Sequence, residues 1–194
     1  MGYAIQIGAL ATVAVLAGCG GGGGGSGATL TSDPARMSFD AMRNGLMAID
    51  REMGQGQVNA VMAPTQGRAT YNGYMTGGVS LEEALNDPEF ASRVQLNANF
   101  DRQTMDGRFY QFADSDNNPV QGELTLSNGQ IDGSRFEADV AGRLTDSDGT
   151  RIRVSGETSG GFYGAGALGI AGGVVVRDDV YPDSGLVGVY VAKK

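Results

Sequence analysis

From Gly67 to Lys194 the chain alternates apolar or small residues with polar ones at a period of two, the spacing of strands that bury one face. Ala69, Tyr71, Gly73 and Met75 alternate with Thr70, Asn72, Tyr74 and Thr76 as a first strand. Val94, Leu96, Ala98 and Phe100 oppose Gln95, Asn97, Asn99 and Asp101 in a second, and after a tight turn near Arg102–Thr104 the chain returns along Met105–Phe112. Gly122, Leu124 and Leu126 lead to Asn128-Gly129, a dipeptide that predicts a two-residue hairpin turn. Phe136, Ala138, Val140, Gly142 and Leu144 form the next inward set, followed by Ile152, Val154 and Gly156. The last strands fall near Ala167–Arg177 and Gly185–Ala192, with Val189 predicted to face inward. Asp114–Pro119, Asp146–Gly149 and Asp178–Ser184 supply turn residues, and Ser80-Leu81-Glu82-Glu83 is a capping box that opens a short helix to about Leu85.

These strands make the chain all-β: an eight-stranded antiparallel up-and-down soluble barrel with an N-terminal helix and a flexible lipidated leader. Closure follows from the last strand, which is too apolar to leave an open edge. At eight strands the interior is just wide enough for side chains or one small ligand, and the Leu, Val, Phe, Ala and Ile of the inward sets predict a filled core. Outward positions carry Gln, Asn, Asp, Glu and Arg at mid-strand, not the apolar belt of a membrane-spanning barrel. Ahead of the barrel the period changes. Phe39, Met42, Leu46, Ile49 and Met53 share one face of a helix that Asp33-Pro34 would cap and Gly54 and Gly56 would end. That stripe is expected to pack on the barrel; a partner-binding helix is the alternative.

The first residues belong to neither element. Met1–Gly18 is an uncharged apolar run too short to span a bilayer, and it reads as an export signal. Leu16-Ala17-Gly18-Cys19 resembles the lipobox of bacterial lipoproteins, in which the cysteine is acylated; Gly20 after it implies outer-membrane sorting. Gly20–Gly27 then serves as a flexible tether. The expected divisions are a signal peptide over 1–18, an acylated cysteine and tether over 19–32, a helical segment over 33–66 and a barrel over 67–194.

Composition narrows the chemistry. The chain carries a net charge of −8 and no basic stripe, which excludes nucleic acid as an expected partner. It has no histidine and one cysteine, Cys19, so a Ser-His or Cys-His nucleophile, a histidine-ligated metal and an internal disulfide cannot be built. Asp114-x-Asp116-x-Asn118 has the alternating oxygens of a calcium loop, but Pro119 stands where such loops need glycine, and turn formation explains these residues as well. No enzyme activity and no cofactor are expected. Candidate partner-binding residues are the aromatics near strand ends: Tyr110, Phe112, Phe162, Tyr163 and Tyr181. Phe162, with Tyr110 or Phe112, can equally belong to the barrel core or its rim.

A set of glycine motifs carries a resemblance. Gly161-Phe162-Tyr163-Gly164, Gly172-Gly173, Gly185-x-x-Gly188-Val189-Tyr190 and Ala192-Lys193-Lys194 resemble the closing strands of the C-terminal barrels of transferrin-binding protein B. Gly67-Arg68-Ala69-Thr70-Tyr71-Asn72-Gly73 resembles the opening strand of the same barrels. The resemblance implies a bacterial surface lipoprotein, anchored to the outer membrane through N-terminal acyl chains, that binds a host protein of the iron- or haem-carrier type. No transferrin-contact residue falls within the matched motifs, and a helical segment stands where those proteins carry a sheet-rich handle domain. A monomer is expected. Two other readings stay open: a structural envelope lipoprotein without a capture role, and a small-ligand carrier of lipocalin type, which needs an internal cavity.

Overall fold

The computed structural model describes residues 36–55 and 61–194. The export signal, Cys19, the glycine tether, Asp33-Pro34 and Gly56 lie outside the described residues. The elements in chain order are α1 (Phe39–Gln55), β1 (Arg68–Gly78), α2 (Leu81–Asn86), β2 (Phe90–Asn99), β3 (Thr104–Asp114), β4 (Pro119–Asp132), β5 (Arg135–Thr145), β6 (Arg151–Tyr163), β7 (Gly169–Asp178) and β8 (Gly185–Lys193). Each strand pairs with the next, and β8 returns to β1, so the eight strands close as predicted. The seam is antiparallel and runs from Asn72 opposite Lys193 to Gly78 opposite Val187. No described helix is long and apolar enough to cross a membrane.

The inward sets fill the barrel. Phe162, completely buried, packs its ring against Phe100 and Phe136 at 5.7 Å each and against Tyr71 at 6.2 Å. Phe109 meets the ring of Tyr190 at 5.5 Å, and Leu96, Leu124, Leu126, Val140 and Val176 complete the packing. Two tyrosine hydroxyls that enter this core find partners, whereas the hydroxyl of the completely buried Ser92 has none. Thr158 Oγ1 donates to the Gly173 carbonyl at 2.8 Å, which leaves it to accept from the Tyr190 hydroxyl at 2.9 Å. Tyr71 donates to the Ala167 carbonyl at 2.8 Å. Gly172 is needed here, because a Cβ would run into the Tyr190 hydroxyl and the Ser159 carbonyl.

Three local expectations are corrected. Asn128-Gly129 does not turn the chain: β4 runs through it, and Asn128 takes a φ of +55° at a bulge between Ser127 and Gln130. The hairpin turns instead at Gly133, φ +59°, between Asp132 and Arg135. Val189 faces outward, because its neighbour Tyr190 takes the inward position and finds Thr158 there. Helix α1 starts later than Asp33-Pro34 would place it: the Ser38 hydroxyl accepts from the Ala41 amide at 3.2 Å and caps Phe39 onward.

Helix α1 lies on the outside of the barrel. Phe39 and Met42 are buried with Ala91 and Ala113, while Met37 and Tyr74 cover them. Ile49 is also buried, and Leu46 and Met53 are half-buried, so the predicted stripe is the packed face. Both ends of the helix are tied: Asn117 Oδ1 accepts the Phe39 amide at 2.9 Å, and Lys193 Nζ reaches Glu52 at 2.6 Å. In the middle, Gly45 sits directly on the Tyr74 ring, and any Cβ would collide with it.

Two measurements follow from this packing. Gly45→Ala should lower stability by about 1–2 kcal/mol even though alanine favours helices, because the helix must lift from Tyr74. Gly54→Ala, with nothing within 4 Å of its Cβ, should leave the melting temperature unchanged or raised. Burial pushes the Tyr71 phenol up to about 12 and raises Tyr190 further. Stabilisation by these neutral phenols is complete below the ordinary tyrosine value of about 10 and is lost as pH rises past it. Urea titrations should therefore show a fall in stability above pH ~10. In Tyr190→Phe that fall should be shallower, at a cost of about 1 kcal/mol at neutral pH for the lost hydrogen bond.

Candidate interaction site

The five aromatic candidates separate into core and surface. Phe112 and Phe162 are 1% and 0% exposed, so neither side chain is available to a partner. Both occupy inward strand positions whose rings the barrel needs to fill its volume, and this removes them from the candidate set. Tyr110 lies on the outer wall, half-buried beneath arginines. The Arg108 guanidinium stands 4.5 Å and that of Arg93 5.3 Å from its ring centre, and Arg108 pairs with Glu123 at 3.7 Å. Tyr163 is half-buried in a recess of about 420 Å³ that also takes in Met53, Leu168, Lys193 and Lys194. Tyr181 is 69% exposed in the turn from β7 to β8. Tyr163 and Tyr181 lie at opposite ends of the barrel, so these tyrosines do not form one site.

Tyr181 does have neighbours that the sequence did not single out. At its end of the barrel, Val79, Leu81, Leu85 and Val180 are between 55% and 70% exposed. The local construction explains why. Ser80 and Glu83 form the predicted capping box, the Glu83 amide donating to the Ser80 hydroxyl at 3.2 Å and the Glu83 carboxylate accepting the Ser80 amide at 3.0 Å. Thr76 on β1 then donates to the Ala84 carbonyl at 2.9 Å, and Ala84 is completely buried. With Ala84 against the barrel, Leu81 and Leu85, one helical turn apart, project to solvent. Across the seam the Asp178 carboxylate accepts the amides of Val180 at 2.7 Å and Tyr181 at 3.1 Å, and the Ser184 amide closes onto the Tyr181 carbonyl at 2.8 Å. The apolar pair Val180-Tyr181 is thus held out by a hydrogen-bonded turn.

The register brings these two groups to one rim. Gly78, just before Val79, pairs with Val187, and β8 begins only two residues earlier at Gly185, where the turn ends. A short, apolar i, i+4 pair in a sequence looks like a buried helix face, which is why Leu81 and Leu85 gave no surface signal. Beside them Glu89 has its pKa raised, first by burial and then by the carboxylates of Glu83 and Asp87.

The acidic turns act as turns. Asp114 is 2% exposed, and its carboxylate accepts the amides of Asp116 at 3.0 Å and Asn118 at 2.7 Å and the Asn118 side chain at 3.1 Å. Asp146 likewise accepts from Asp148 at 3.0 Å and Thr150 at 2.7 Å. Among the described residues no group of three acidic, histidine or cysteine side chains is placed to hold a metal.

The structure is a closed barrel with a packed interior, a largely polar wall and a cluster of apolar side chains raised at one rim. The chain belongs to the family of C-lobe and N-lobe β-barrels of Tf-binding protein B, which it matches over residues 63–194. Among solved structures it is similar to the transferrin-binding protein B vaccine antigen of Haemophilus parasuis, at 22% identity and a TM-score of 0.50. That similarity covers 68% of this chain and 27% of the relative, and it shows a shared fold. Isotype 1 transferrin-binding protein B from serogroup B Neisseria meningitidis matches at 21% identity and a TM-score of 0.41, over 70% of this chain and 26% of its own. No curated protein matches the chain.

Proposed function

We propose that this chain is a lipid-anchored protein of the bacterial outer-membrane surface whose barrel is a non-enzymatic binding module for a protein partner of the iron-carrier type. The family supports the class of partner, since the solved relatives are transferrin-binding proteins that the chain matches over about a quarter of their length (27% and 26%). In this reading residues 1–18 are the export signal, Cys19 is acylated, the tether runs to residue 32, the segment 33–66 braces the barrel and 67–194 form the binding module.

The observation that carries the reading is the exposed apolar rim. Val79, Leu81, Leu85, Val180 and Tyr181 are held out together at one end of the barrel on a capped helix and a hydrogen-bonded turn. Burying such side chains against a partner releases about 1.5–3 kcal/mol each, which makes them contact-forming residues. Tyr110 and Tyr163 are secondary contacts in this scheme. The filled interior argues against a lipocalin-type carrier, which must enclose its ligand.

Cys19→Ser should move the protein from the membrane fraction to the soluble fraction; persistence in the membrane would refute anchoring there. Immobilised residues 28–194 should retain transferrin or a haem-carrier protein from serum. The variant Leu81→Ser/Leu85→Ser/Tyr181→Ala should lose that retention by more than about tenfold at an unchanged melting temperature. Full retention by the variant would place the contact elsewhere, and no retention of any iron carrier by the parent would remove the partner class.

A further inference from the structure

Strand pairing gathers three arginines into one block on the outer wall of β5 and β6. Arg143 and Thr145 are successive outward positions of β5, and Arg151 and Arg153 are successive outward positions of β6. The register sets Arg143 directly beside Arg153 and Thr145 directly beside Arg151. Facing positions of an antiparallel pair stand about 5 Å apart and successive outward positions about 7 Å apart, so the three guanidinium groups can reach one point. All three arginines are exposed. Like charges directly opposite destabilise a sheet, and the third cation, diagonal to Arg143, adds to that cost.

The carboxylates around the block do not neutralise it. Among the described residues the ion pairs are Arg108–Glu123 and Lys193–Glu52, so no arginine of the block is in one. Glu123 on β4 stands beside Arg143 in register, but its carboxylate is turned to Arg108 at 3.7 Å. Asp179, at the β7 flank, accepts the Ser155 hydroxyl at 2.7 Å, and the exposed Arg177 stands beside Ser155 in register. In the β5–β6 turn, Asp146 accepts the amides of Asp148 at 3.0 Å and Thr150 at 2.7 Å, and Asp148 makes no ion pair with the block. Asp139 and Glu157 lie further along the same two strands, about 13 Å from Arg143 and Arg153.

Three guanidinium forks and a hydroxyl at this spacing suit a tetrahedral oxyanion. A carboxylate has two oxygens and is held by a single fork, which would leave two arginines unanswered. A phosphate group presents three oxygens and about two negative charges, enough for all three forks. The half-buried Thr145, beside Arg151, supplies a hydroxyl donor at the same place. We propose that the block of Arg143, Arg151, Arg153 and Thr145 binds a multiply charged phosphate group, carried by a soluble compound or by a lipid headgroup. The net charge of −8 repels anions at a distance, so the attraction acts at contact range and weakens with salt. The inference does not depend on the partner reading above, because the apolar rim lies outside this block.

The test uses the whole chain carrying Cys19→Ser at about 20 mM salt. Inorganic pyrophosphate is the soluble probe, and phosphatidylcholine vesicles containing phosphatidic acid are the lipid probe. Calorimetry should show pyrophosphate binding, and the melting temperature should rise with it. Arg143→Gln/Arg153→Gln should weaken that binding by more than about tenfold. Without phosphate the same variant should be as stable as the parent or more so, because the facing charges are gone. Arg143→Lys/Arg153→Lys keeps the charge without the fork and should bind between the two. Arg68→Gln/Arg135→Gln removes equal charge at the opposite end of the barrel and should bind as the parent does. Vesicle binding that the Arg143/Arg153 glutamine variant abolishes and pyrophosphate displaces would support the site with a lipid headgroup as its ligand; pyrophosphate binding alone would support it with a soluble one. Binding of neither probe, parental binding by Arg143→Gln/Arg153→Gln, an equal loss in Arg68→Gln/Arg135→Gln, or tighter binding of polyglutamate than of pyrophosphate would each overturn the proposal.

Discussion

The seam between β1 and β8 is the constraint on which the remaining structure depends. β1 must satisfy β2 on one side and β8 on the other, and β8 must pair with both β7 and β1. Once both edges of each strand are used, the sheet has no open flank and its inner face encloses a fixed volume. Rings at inward positions then meet one another: Phe162 touches three aromatic neighbours contributed by β1, the β2–β3 turn and β5. Tyr190 on β8 can be this large because Gly172 beside it has no side chain.

Closure also decides what happens outside. With the core inside the cylinder, an outward apolar residue must be covered by another element or left exposed. Helix α1 covers one set, laying Phe39 and Met42 over Ala91 and Ala113 and setting Gly45 against Tyr74. Helix α2 is too short to cover much: its single buried residue is Ala84, and Leu81 and Leu85 remain in solvent. The exposed rim is thus a consequence of how little surface a capped helix of one and a half turns can turn inward. With the cylinder filled by side chains, the surfaces left exposed are its rim and its wall.

The period-two alternation, the turn residues and the capping box were enough to place the strands and the short helix, because each of these signals acts over a few residues. Strand closure was also legible, since a final strand as apolar as Gly185–Ala192 needs partners on both edges. Errors arose where two local rules competed. Asn128-Gly129 suits a hairpin turn and a bulge equally; the longer pairing of β4 with β5 selected the bulge. Val189 and Tyr190 are both apolar enough to be buried, and Tyr190 takes the inward position, where its hydroxyl meets Thr158 on β6, two strands away.

The amino-acid order alone determined the all-β class, the number of strands, the stripe of α1 and the absence of histidine chemistry, because these depend on composition and near-neighbour spacing. It could not say which aromatic near a strand end is core and which is surface. Phe112 and Tyr181 look alike in sequence, yet one fills the barrel and the other stands in solvent. Which side chains share a rim, and which charges lie side by side on the wall, depends on the register between strands distant in the chain. That register exists only once the sheet has closed, so the surface available for binding was decided by the tertiary structure.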